Sequence, residues 1–222
     1  MTFYHFMAGL CRFFFYLFNG KPEVHGLDNL PSDETVIFAA THRSAFDPFY
    51  LAIELSPRPI SFMAKDSIFK WKWLASLLRK GHVFPVNRDK PSPKVIKFAV
   101  KQLTQNQLNL GIFPSGSRYS TQVKGGTAYI QRLAKKAIVP IAIQPPLTLG
   151  GFFKRQKAKI MIGQPIAYDP SRDYDKAHLQ EIDQAIQQAF DQLDRALDPT
   201  YRYDPQLPNK PNIKPRETNQ ID

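Results

Sequence analysis

From residue 23 onward, short apolar runs of strand length alternate with stretches of helical periodicity, and this alternation restricts the fold more than any other feature. Residues 34–40, 60–64, 82–86, 108–113, 138–143 and 159–162 read as strands, with a further one near 23–25. Residues 48–55, 67–80, 93–105, 127–136 and 175–197 read as helices, the last apolar at Leu179, Ile182, Ile186, Phe190, Leu193 and Leu197. A strand that returns to the same sheet through a helix lies parallel to its predecessor. The expectation is an α/β fold: a single domain with a mostly parallel central sheet of about six or seven strands flanked by helices.

The two ends depart from this pattern. Residues 2–18 place Phe3, Phe6, Met7, Leu10, Phe13, Phe14 and Leu17 on one helical face and His5, Gly9, Arg12 and Tyr16 on the other. Such a helix is about 25 Å long, short of the ~30 Å hydrocarbon core of a bilayer. With Arg12 near its centre, residues 1–20 are expected to lie along a membrane surface as an amphipathic helix rather than cross it, the alternative being a helix packed on the domain's own core. No basic segment precedes the apolar face, which argues against a secretory leader. Past Pro199 the chain is polar and proline-rich, so residues 199–222 are expected to form a loosely ordered tail. The folded domain then spans 21–198.

The formal net charge of +11 hides a segregation. Residues 58–159 carry 20 Lys and Arg against Asp66 and Asp89 alone, a local +18, and no acid occurs from 90 to 168. A block of this kind attracts anionic partners such as lipid headgroups, nucleic acid or an acidic carrier protein. No RNA-recognition signature or zinc-ligand spacing accompanies it, which makes nucleic acid the weakest of the three. Cys11 is the single cysteine, so an intrachain disulfide is impossible and a reducing location is expected.

Three clusters carry residues suited to chemistry. Thr41-His42-Arg43-Ser44-Ala45-Phe46-Asp47-Pro48 joins the first strong strand to its helix, with Pro48 as first helical residue and Asp47 as N-cap. If this loop folds back over the helix start, Asp47 accepts a hydrogen bond from the His42 imidazole, fixes its tautomer and leaves the other ring nitrogen as a general base. Otherwise His42 is a structural loop residue and Asp47 only a cap. Residues 65–80 set Lys65, Lys70, Lys72, Arg79 and Lys80 beside Trp71 and Trp73, which suits a headgroup boundary, with Leu74, Leu77 and Leu78 available for the core. Residues 111–120 run from a strand into Pro114-Ser115-Gly116-Ser117-Arg118, where open amides, short hydroxyls and a forked guanidinium make a phosphate cradle or an ordinary turn. There is no Walker lysine and no Gly-x-Ser-x-Gly elbow, so nucleotide hydrolysis and acyl-enzyme chemistry lose ground.

Taken in order, four blocks resemble the glycerolipid acyltransferase superfamily, in its 1-acyl-glycerol-3-phosphate acyltransferase (lysophosphatidic acid acyltransferase) branch. His42-x4-Asp47 is similar to the first motif, Gly81 to Arg88 to the second, Phe113 to Arg118 to the third and Val139 to Ala142 to the fourth. The match spans roughly residues 22–165.

The resemblance implies an enzyme of phospholipid biosynthesis held peripherally on the cytoplasmic face of the cell membrane. It implies direct transfer of a fatty acyl group from an acyl carrier protein or coenzyme A thioester to the sn-2 hydroxyl of 1-acyl-glycerol-3-phosphate, giving phosphatidic acid. His42 would deprotonate the hydroxyl and Asp47 would orient His42. Lys65, Arg88 and Arg118 would hold the substrate phosphate, with Ser115, Gly116 and Ser117 as the supporting loop. No metal or other cofactor is implied; the partners would be lysophosphatidic acid, the thioester carrier and an anionic membrane surface, not nucleic acid. The family usually has Glu where Ser115 stands and Thr where Ser117 stands. Without that carboxylate the charge of Arg118 is less compensated, which bears on phosphate binding and on the headgroup accepted. The alternatives are the same transfer to another lysophospholipid or to glycerol 3-phosphate, and a basic membrane-binding module without catalytic activity.

Overall fold

In the computed structural model, which describes residues 2–87 and 92–205, seven strands form one sheet. β1 (Glu23–His25), β2 (Ile37–Ala40), β3 (Ile60–Lys65), β4 (Val83–Val86), β5 (Asn109–Ile112), β6 (Ile138–Gln144) and β7 (Lys159–Ile162) lie in the order β1-β7-β6-β2-β5-β3-β4. Every neighbouring pair is parallel except β6 and β7. The link between those two turns back at the same end of the sheet. The expected mostly parallel α/β architecture is the one that forms.

The helices fall in two layers. α1 (Phe3–Phe18) and α2 (Asp47–Glu54) lie over the face that buries Phe38, Ala40, Tyr50, Leu51 and Ile141. α4 (Pro93–Thr104), α5 (Gly126–Ala134) and α7 (Lys176–Leu197) cover the other, over Ile37, Ala39, Leu103, Ile130 and Ile186. Alternate residues of β2 thus serve opposite cores, as the period of two requires in a strand buried on both sides. Packing at the centre leaves Gly111 no room for a side chain, since a Cβ there would meet the Phe62 ring at 2.3 Å.

α1 sits on the domain by a side that joins Tyr4, Ala8 and Phe15 to the polar groups of His5, Arg12 and Tyr16. Arg12 donates to the carbonyl of Ile53, Tyr16 donates to Glu54 at 3.0 Å, and His5 donates from Nε2 to Pro57 O at 2.9 Å, while Tyr4 and Ala8 are buried. The opposite side exposes Phe6, Leu10, Phe13, Phe14 and Leu17, Phe13 by 61%. Among the described residues no helix is long and apolar enough to cross a membrane.

Several elements differ from the sequence expectation. The helix expected over 67–80 breaks at Trp71, whose extended backbone (φ −86°, ψ 112°) separates a 3-10 helix, Asp66–Lys70, from α3 (Lys72–Lys80). The break lets both pieces settle against β4 while the two tryptophans stack at 6.4 Å and stay exposed. α6 (Leu149–Phe153) escapes sequence periodicity, because five residues are too few to display it. Asp47 is the first residue of α2 rather than its N-cap; Phe46 holds the cap position, and the Asp47 carboxylate turns back onto the preceding loop. Residues 199–205 pack on the domain instead of trailing from it, through partly buried Tyr201 and Tyr203. These two rings supply apolar area that the average composition of the tail conceals. The rest of the expected tail, 206–222, lies outside the described residues.

Candidate active site

The parallel strands β2, β5, β3 and β4 end along one edge of the sheet, where ligands of open α/β sheets characteristically bind. The His42 loop follows β2. Thr41 ties it to β6, its amide donating to Ile141 O at 3.0 Å and its Oγ1 accepting from the amide of Ile143 at 2.9 Å. The loop then folds back over the start of α2. Asp47 Oδ2 accepts from His42 Nδ1 at 2.9 Å, from the Arg43 amide at 2.6 Å and from the Ser44 amide at 2.8 Å. Asp47 is fully buried, whereas the His42 side chain keeps 11% exposure. An acceptor-only carboxylate at Nδ1 assigns the proton to that nitrogen and leaves Nε2 with its lone pair.

The imidazole stacks on Phe113 with centroids 4.2 Å apart, so the end of β5 forms its second wall. Two hollows flank the stacked pair. His42 lines a polar one of about 210 Å³ with Arg43, Ser115, Thr121, Asp194 and Tyr203. Phe113 lines an apolar one of about 260 Å³ with Met63, Val95, Ile96, Ile112 and Ile130.

Ser115, Gly116 and Ser117 build the turn after β5. The Gly116 amide donates to Phe113 O at 2.9 Å, Ser115 Oγ donates to Ser117 O at 2.9 Å, and Gly116 takes φ +74°, a left-handed conformation that glycine adopts without strain. The Arg118 guanidinium makes no hydrogen bond or ion pair among the described residues and is free to meet an anion. Lys65 ends β3 at the same edge and is exposed. With β5 between β3 and β2, it stands two strands, or about 10 Å, from the His42 loop. Arg88 lies outside the described residues. The structure therefore joins His42 and Asp47, brings Ser115 to the hollow that His42 lines, leaves Gly116 on the apolar hollow and Ser117 and Arg118 in the adjoining turn, and places Lys65 at the margin.

Sequence reading missed the group that supports this loop. Arg43 is buried, donates to Ile143 O at 2.7 Å and pairs through both terminal nitrogens with the Asp194 carboxylate on α7. Its guanidinium lies 5.0 Å from the Tyr201 ring and 5.7 Å from the Tyr203 ring. Burial alone would lower its proton affinity, but the hydrogen bond and charge of Asp194 outweigh that and hold its pKa above the ordinary value. Lys124 is a second omission: its amide donates to Pro114 O at 3.1 Å, and a side chain at Gly116 would meet its Nζ at 3.5 Å. Membership in the acid-free block was its one sequence signal. Among the described residues no three His, Cys, Asp or Glu side chains gather in a metal-ligating group.

Comparison with known proteins places the chain among relatives. The family model described as Acyltransferase matches residues 21–144. A 1-acyl-sn-glycerol-3-phosphate acyltransferase of Bacillus subtilis (strain 168) is 36% identical over 183 residues, covering 79% of this chain and 92% of the relative. The enzyme of the same name from Streptococcus pneumoniae (strain ATCC BAA-255 / R6) is 34% identical over 193 residues, covering 86% and 73%. The crystal structure of the 1-acyl-sn-glycerophosphate (LPA) acyltransferase of Thermotoga maritima superposes with a TM-score of 0.64 at 16% identity, over 88% of this chain and 79% of that one, a likeness of fold.

Proposed function

The chain belongs to the acyltransferase family, and from that premise we propose that it transfers a fatty acyl group from an acyl thioester to the sn-2 hydroxyl of 1-acyl-glycerol-3-phosphate, giving phosphatidic acid. The observation that carries this reading is the 2.9 Å contact between His42 Nδ1 and the buried Asp47 carboxylate at the mouth of the polar hollow. His42 Nε2 takes the proton of the lipid hydroxyl as its oxygen bonds to the thioester carbonyl carbon. The C–S bond then breaks, and the leaving thiolate takes the proton back from the imidazolium. Asp47 holds the ring and offsets its transient charge. A thioester is already activated, so the reaction calls for no cofactor. Acyl carrier protein and coenzyme A are both suitable donors.

Arg118 and Lys65 bind the acceptor phosphate, with Arg88 assigned the same role from sequence. The apolar hollow beyond Phe113 is suited to an acyl chain. The protein works at a membrane surface, on its cytoplasmic side. Support comes from α1, whose aromatic face points outward while its polar side chains satisfy acceptors on the domain.

Release of free thiol from acyl carrier protein and coenzyme A thioesters, measured with and without the lysolipid, tests the reading. His42→Ala is expected to lower the acceptor-dependent rate by at least about 10²-fold. Undiminished release in that variant would refute the base assignment. Preference for a different lysophospholipid, or for glycerol 3-phosphate, would refute the acceptor.

A further inference from the structure

Resting on that reading, we propose that residues 198–203 form a clasp that sets the spacing between the His42 loop and the Arg118 turn, with Tyr203 as its positioning residue. Among the described residues no hydrogen bond joins residues 41–47 directly to residues 113–120; their meeting point is the His42–Phe113 stack. Tyr203 supplies the polar bridge. Its hydroxyl donates to Arg118 O at 2.6 Å and lies 3.4 Å from Arg43 O. Its ring, with that of Tyr201, flanks the guanidinium of Arg43. Arg43 is itself pinned to Asp194 and Ile143, so one face of the clasp rests on a fixed part of the molecule.

The other end of the segment is rooted as well. Asp198 pairs with Lys159 of β7 at 3.3 Å and accepts from the Thr200 amide at 2.9 Å and from Thr200 Oγ1 at 2.6 Å. The Tyr201 amide donates to Asp198 O at 3.1 Å. A chain anchored at α7 and β7 thus delivers one phenol to the backbone of the turn that carries Arg118. Burial, then the nearby Asp47 charge, pushes the Tyr203 hydroxyl up to about 12, so it stays a donor across the working pH range. Among the described residues the Arg118 side chain has no hydrogen-bond or ion-pair partner, so the position of its backbone governs where its charge can reach. Tyr203 accordingly acts through Arg118 on acceptor binding and leaves the thioester alone.

Tyr203→Phe in the full chain removes the donor and keeps the ring over Arg43. Amide hydrogen exchange over residues 114–121 is expected to quicken by about tenfold, and KM for 1-acyl-glycerol-3-phosphate to rise about five- to tenfold, the size of one lost hydrogen bond. Under the same principle, kcat and the thioester KM are expected to stay within about twofold of wild type. Unchanged exchange, quickened exchange without a rise in acceptor KM, or an equal rise in both KM values would overturn the clasp. Should the wild-type protein transfer no acyl group to this acceptor, the proposed function fails, and exchange alone decides the clasp: faster exchange sustains it, unchanged exchange removes it.

Discussion

Asp47 commits one carboxylate oxygen to three donors, while its other oxygen is buried without a hydrogen-bond partner among the described residues. Two of the donors are the loop amides of Arg43 and Ser44, so the residue that charges the imidazole also shapes the loop carrying it. The two roles separate in Asp47→Asn. An amide oxygen still accepts from the loop, but the negative charge opposite a forming imidazolium is gone. We expect kcat to fall by about 10²- to 10⁴-fold with the far-UV circular dichroism of the wild type. A variant retaining half the wild-type thiol release would show that charge is not what Asp47 supplies. His42 and Asp47 were legible in the sequence because both stand in one octapeptide after a strong strand. Arg43 stands in the same octapeptide, yet its meaning was not legible, because its partner Asp194 lies 151 residues away.

α1 displays the same contrast one scale up. Its amphipathic period follows from the spacing of seven apolar residues, but which side meets the domain does not. Ile53 O is among the last carbonyls of α2, which a helix leaves without an internal donor, and Arg12 supplies one. Tyr16 and His5 find Glu54 and Pro57 O beyond it. Satisfying those acceptors, with Phe15 packed on Phe46, Tyr50 and Phe152, fixes that side inward and leaves Phe6, Leu10, Phe13, Phe14 and Leu17 facing out. Phe13→Ser and Leu17→Ser touch none of these contacts. Each is expected to weaken sedimentation with lipid vesicles by about tenfold or more, the worth of one apolar side chain withdrawn from a bilayer boundary, at unchanged Tm. Equal vesicle binding by the double variant would remove α1 from the membrane contact.

Across the whole molecule the charge is divided, +18 within residues 58–159 and −7 over the remainder. If this block faces anionic lipid, binding to such vesicles should drop steeply as salt rises from about 0.1 to 0.5 M, because screening shortens the reach of exposed charges, while weaker binding to neutral vesicles persists through the apolar face. Salt-independent binding to anionic vesicles would assign attachment to apolar contacts alone. The sequence by itself determined the alternation of strands and helices, nearly all their positions, the charge block and the loops that carry His42 and Arg118, because each of these is written in residues a few places apart. Tertiary structure decided the strand order, the reversal of β7, the break at Trp71, the side that α1 turns inward, and the bridge from Tyr203 to Arg118 across 85 residues. Periodicity and capping act within a turn or two of chain. A buried guanidinium or phenol is satisfied by whichever acceptor the strand order brings beside it, and that order follows from packing the whole sheet at once.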